Sequence, residues 1–236
     1  MIEAKFKLTE ETINVNGKTL YRIEALKDFG YIKKGDKGGF VEKEENLSQS
    51  GDCWVYENAK VCGNAEVYDD AKVYGNAWVF DNAKVYEDAE VFGIAEVCGD
   101  AVVYCDAEVF GNAQVYDNAR VFDNAEVFGN AQVYGNAWVC DYARVYGNAW
   151  VCDYAEISGD AEIASNSDYI VFKNWWSSGR HFTWTKSNNM WKVGCFYGTG
   201  EQLIEKAYKD SEKSGREYER VVKYVESILK DNNADV

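Results

Sequence analysis

The amino-acid sequence predicts a mainly β fold: a parallel β-helix of about six coils, with an N-terminal hairpin region before it and a small C-terminal α+β cap with two helices after it. Three observations carry this. Val recurs at every sixth residue from Val55 to Val151, and Ile157 and Ile163 extend the series to nineteen consecutive positions. Ala stands two residues before each of them from Ala59 to Ala161, Cys53 being the exception at the first. The gap between repeats holds Gly, Asp, Glu or Cys, followed mostly by Asn or Asp, as in Gly75-Asn76, Asp81-Asn82 and Gly129-Asn130.

Each observation has a physical reading. Along Ala-x-Val-aromatic the side chains alternate, so Ala and Val share one face and x and the aromatic share the other. Gly and Asn tolerate left-handed backbone angles, which suits the two-residue gap to a tight corner. A strand of four and a corner of two, repeated, coil the chain into a prism with small residues inside. Three hexapeptides close one coil, so strands eighteen positions apart stack, and at ~4.8 Å per coil the prism is roughly 30 Å long.

The elements follow in order. Residues 1–46 are mixed and charged; 12–15, the pair Asn16-Gly17 and 19–23 read as a β-hairpin, because Asn-Gly takes the positive φ of a two-residue turn. Residues 47–166 hold the repeat. From 167 the hexapeptide stops, and 169–172, 181–185 and 190–196 read as three short aromatic strands. Thr199 with Gln202 is a capping-box signature for a helix to about residue 211, and Ser214 with Glu217 for a second to about residue 229. An open last coil would expose strand hydrogen bonds and apolar core, so residues 167–236 are expected to act as a cap.

The repeat resembles the left-handed parallel β-helix of hexapeptide-repeat proteins, the architecture of many acyltransferases. The leading segments Ala25-Leu26-Lys27-Asp28-Phe29-Gly30, Gly38-Gly39-Phe40-Val41 and Glu44-Glu45-Asn46-Leu47-Ser48 are similar to a branch common in phages and prophages, loosely labelled acetyltransferase-like or polymer-forming. So is Met190-Trp191-Lys192-Val193-Gly194-Cys195-Phe196-Tyr197-Gly198-Thr199-Gly200 with the acidic helix after it. The resemblance spans nearly the whole chain. It implies a left-handed coil and, from the trimers usual among relatives, a homo-oligomer (dimer or trimer); it is nearly silent on activity.

Enzyme signatures are sparse. The acyltransferases that the repeat resembles use a His general base and loops that break the coil, yet this register runs unbroken from Val55 to Ile163 and the one histidine, His181, lies outside it. A zinc site of three His cannot be supplied, and no Thr ladder of the ice-binding kind exists between Gly51 and Asn166. A Cys195/His181 nucleophile pair is weighed against a Cys packed in an aromatic strand, and the packed Cys is preferred. Cys62, Cys98 and Cys152 share a row without being stacked neighbours, so no disulfide ladder forms. The expectation is a chain without catalysis, metal or cofactor.

Charge narrows the partners. Asp and Glu number 40 against 25 Lys and Arg, a net of −15, which disfavours duplex DNA binding and docking on an anionic membrane. Residues 1–14 lack an apolar signal segment, and the expected location is cytoplasmic, the host cytoplasm if the protein is phage-encoded. Residues 51–166 hold 21 acidic and five basic residues, so the whole negative excess sits on the prism.

The outer surface supplies the candidate site. One prism face carries the aromatic column Tyr74, Phe92, Phe110 and Phe128 beside Glu90, Glu108 and Glu126. One corner stacks acids, among them Asp106, Asp123 and Asp141. The tail interleaves Trp176 and Trp184 with Arg180 and Lys192. Stacking support and a solubilising edge are the structural readings; the functional ones are a homo-oligomer interface on the aromatic column or the cap, and an interface for a basic nucleic-acid-binding host protein, with the prism as a nucleic-acid mimic. An atypical acyltransferase, a virion scaffold component and a nucleotide sponge are the alternatives.

Overall fold

The computed structural model describes residues 4–234, in two compact units, Met1–Asn166 and Ser167–Val236. The first opens with β1 (Phe6–Val15) and β2 (Lys18–Ala25), an antiparallel pair whose turn residues Asn16 and Gly17 have φ of 52° and 82°. β3 (Lys37–Val41) pairs antiparallel with β2 on one side. On its other side it lies parallel to Lys60–Val61.

Nineteen two-residue strands follow, one every six residues, from β4 (Trp54–Val55) and β5 (Lys60–Val61) to β22 (Glu162–Ile163). They stack in three parallel sheets, with Glu90 opposite Lys72 on one side and Glu108 on the other. Because β3 and the parallel bridge of Leu47 to Val67 each add a rung before the hexapeptide strands begin, the coil makes about seven turns rather than six. The inward Ala and Val of the repeat are no more than 1% exposed, so the interior is a column of small apolar side chains. Backbone N–H groups feed the coil beyond, as in Glu90 to Ala107 at 3.0 Å and Tyr74 to Val91 at 3.0 Å.

The corners explain the residues between repeats. Their first position has positive φ throughout, 71° at Gly111 and 60° at Asp141. At Gly111 an added Cβ would stand 3.1 Å from the Gly129 backbone nitrogen, so this corner takes Gly for space as well as angle. The second corner position builds amide ladders, Asn112 donating to Asn130 at 2.9 Å and Asn130 to Asn148 at 3.2 Å.

The second unit holds the antiparallel strands β23 (Tyr169–Lys173), β24 (His181–Thr185), β25 (Met190–Val193) and β26 (Phe196–Gly198). The single strand expected over 190–196 is broken because Gly194 takes φ of 56° and Gly194-Cys195 makes a turn. Cys195 is therefore exposed there instead of packed in a strand. α1 (Gly200–Asp210) carries the expected capping box of Thr199 and Gln202. α2 (Glu212–Ala234) starts earlier than Ser214 because Ser211 serves both helices: its N–H ends α1 on Ala207, and its hydroxyl accepts the Ser214 N–H at 3.1 Å.

Candidate interaction surface

The seven-stranded sheet of β4, β7 (Lys72–Val73), β10 (Glu90–Val91), β13 (Glu108–Val109), β16 (Glu126–Val127), β19 (Arg144–Val145) and β22 forms the face with the aromatic column. The coil rise sets ring spacing, so the rings stack almost parallel. Tyr74–Phe92, Phe92–Phe110 and Phe110–Phe128 lie 4.7, 4.8 and 4.9 Å apart at 3°, 2° and 2°. The rings are half-buried, each covering its neighbour and leaving an edge toward solvent.

Beside the rings runs the carboxylate row. Lys72 Nζ donates to Glu90 at 2.8 Å, and the Tyr74 hydroxyl donates to the same carboxylate at 2.7 Å. Burial works against the Glu90 carboxylate, but these two donors outweigh it and hold its pKa below the usual range. Arg144 donates from Nε to Glu126 at 3.1 Å and stands 3.6 Å from Glu162. Glu108 lies opposite Glu90 and Glu126 in register, and burial, then those two charges, push its pKa up. An open depression of about 270 Å³ lies at the Lys72 end, lined by Tyr56, Glu57, Lys72, Tyr74 and Glu90.

The acidic corner has a structural task that the spacing alone did not reveal. Asp123 accepts the Asp141 N–H at 3.3 Å, and Asp141 accepts the Gly159 N–H at 2.8 Å. The carboxylate thus satisfies the corner N–H of the next coil, which the parallel ladder leaves over. Asp106, at the second corner position, is exposed. The Asp123, Asp141 and Cys140 donor atoms lie within 4.8 Å of one another, a spacing that a cation accepts, but both carboxylates are already turned to the backbone. The signal for this role was the presence of Asp at a position that needs positive φ.

The tail candidates divide. Trp176 and Trp184 are 8% and 2% exposed and belong to the core of the second unit with Phe182, Trp191 and Tyr218, so they present no stacking surface. The reason is pairing: Trp184 faces Trp191 across β24 and β25. Its Nε1 donates to Asn189 at 2.9 Å. Arg180 is exposed and Lys192 half-buried. Sequence reasoning missed Lys5, which is 1% exposed and donates to Cys53 O at 2.9 Å and to Ser50 and Gly51 carbonyls.

Among the described residues, no helix is long and apolar enough to cross a membrane. Residues 113–129 match the YdcK β-solenoid repeat family, and no curated protein matches the chain. With that match on a coil whose nineteen hexapeptide strands run parallel from β4 to β22, the chain is a β-helix repeat protein.

Proposed function

We propose that this protein works by binding a basic protein rather than by catalysis. The observation that carries the reading is the coincidence of two features on one face: stacked carboxylates at Glu90, Glu108 and Glu126, and the aromatic ladder Tyr74, Phe92, Phe110 and Phe128 beside them. A carboxylate row attracts cations over distance, and half-buried rings reward contact with cationic or planar groups. A nucleic-acid-binding host protein has the complementary charge, and occupying its groove would inhibit it. The phage-type setting rests on the resemblance of the leading and tail segments alone.

The nucleotide-sponge alternative loses three of the four tail tryptophans as stacking groups, since Trp176, Trp184 and Trp191 are core and Trp175, 72% exposed, is left to present a ring. Self-association into a dimer or trimer draws better on Trp138, Tyr142, Trp150 and Tyr154, which are 39–69% exposed, than on the half-buried ladder. The test of the binding reading is a tagged pull-down of the full chain from host lysate, with mass spectrometry of protein and small-molecule eluates. The reading expects a basic nucleic-acid-binding protein that elutes at high salt. Recovery of virion proteins alone, of a nucleotide alone, or of acyl-CoA with turnover overturns it.

A further inference from the structure

The carboxylates of the row are paired unevenly. In the inner coils of this face the register sets an outward residue between the ring sixteen positions before it and the ring two positions after it, as the Tyr74 hydroxyl on Glu90 and the two rings beside Arg144 show. Arg144 displays the arrangement. Its guanidinium carbon stands 5.1 Å from the Phe128 ring centre and 5.9 Å from that of Tyr146, while Nε pairs with Glu126 at 3.1 Å. At the other end Lys72 and the Tyr74 hydroxyl satisfy Glu90. Glu108 has neither kind of partner. Among the described residues no cation pairs with it, and the two rings in its register, Phe92 and Phe110, carry no hydroxyl to donate.

We propose that Glu108, with the rings of Phe92 and Phe110, forms a subsite for an arginine side chain of the protein partner, the guanidinium pairing with Glu108 and lying along the ladder as Arg144 does two coils further on. The proposal rests on the binding reading above and names its chemistry. Charge complementarity selects a cation: Glu90 and Glu126 each hold one already, and Glu108 between them holds none. The rings select arginine over lysine, because a planar guanidinium stacks and pairs with a carboxylate at two points, whereas an ammonium is a strongly hydrated point charge. Burial of Glu108 beside two like charges raises its pKa, so a guest cation relieves a cost that the fold carries without it. The exposed corner acids offer no such subsite. Asp123 and Asp141 are spent on backbone N–H groups, and Asp106 is an exposed corner residue outside the ladder.

The test is calorimetric titration of the full chain with nona-arginine and nona-lysine at 0.15 M salt, for wild type, Glu108→Gln and Asp106→Asn. Both variants lose one negative charge, so they separate the subsite from bulk attraction. Wild type is expected to bind nona-arginine about fivefold tighter than nona-lysine, equivalent to ~1 kcal/mol of ring and fork contact. Glu108→Gln is expected to abolish that preference. Asp106→Asn is expected to keep it, weakening both peptides equally by less than about twofold. Equal effects of the two variants, or no arginine preference in wild type, overturn the subsite while leaving the binding reading in place. Binding of neither peptide overturns both. A urea titration of Glu108→Gln confirms that any loss of preference occurs in a folded chain.

Discussion

Truncating Phe110 to Ala tests whether the outer ladder holds the coil together. Phe110 is stacked on both sides, 4.8 Å from Phe92 and 4.9 Å from Phe128, each at 2°. Two aromatic pairs at ~0.5–1.5 kcal/mol apiece beyond burial give ~1–3 kcal/mol. The half-buried ring adds about 1 kcal/mol of transfer free energy, with little cavity term because its outer edge faces solvent. The expected loss is ~2–4 kcal/mol. Tyr68 ends its own ladder with one stacked neighbour, Tyr86 at 4.8 Å and 6°, so Tyr68→Ala should cost ~1 kcal/mol less. Urea unfolding followed by far-UV circular dichroism reads both. A loss below ~1 kcal/mol for Phe110→Ala, or equal losses at the two sites, would mean that the rings do not couple neighbouring coils.

Three further outcomes follow from particular contacts. Glu108→Gln should stabilise the protein at pH 7 by ~0.5 kcal/mol, since it removes a carboxylate opposite two others. Because the folded pKa of Glu108 is raised, its penalty is full above that value and absent below the ordinary glutamate range, so the gain should vanish as urea midpoints are measured at falling pH. Asp141→Asn should be nearly neutral, because Asn accepts the Gly159 N–H and tolerates φ of 60°; Asp141→Ala should cost ~1–3 kcal/mol in thermal or urea unfolding. Light scattering at tens of micromolar should give a dimer or trimer that Trp150→Glu weakens and Phe110→Glu leaves intact; a monomer contradicts the self-association expectation.

Much of the first unit was legible because one period fixes everything at once. Six-residue spacing of Ala and Val dictates which side chains go inside, which strands stack and where the corners fall, and the inward residues are buried as that spacing requires. The added turn from β3 was not legible, since its residues Lys37-Gly38-Gly39-Phe40-Val41 lack the repeat and join by pairing with β5, a long-range contact. The tail was legible where the signal is local, as in the Thr199 cap. It failed where one residue does two things: Ser211 ends α1 and caps α2, and Gly194 turns what alternation alone reads as a single strand. At the candidate site, the Glu row and ring column were visible from spacing. What spacing cannot show is which carboxylates are already satisfied: those of Asp123 and Asp141 accept backbone N–H groups, while the Glu108 carboxylate has no hydrogen bond or ion pair among the described residues.

Binding of a basic partner to the ladder face is tested by a matched comparison of two triple variants against the purified partner. Glu90→Gln/Glu108→Gln/Glu126→Gln removes three stacked carboxylates from the ladder face; Asp70→Asn/Asp88→Asn/Asp106→Asn removes the same charge from three exposed residues stacked eighteen positions apart at the second position of the acidic corner. The first variant is expected to lose at least about tenfold in affinity, ~1.4 kcal/mol, while the second stays within about threefold of wild type. Equal losses, or a larger loss in the corner variant, would contradict binding at the ladder face.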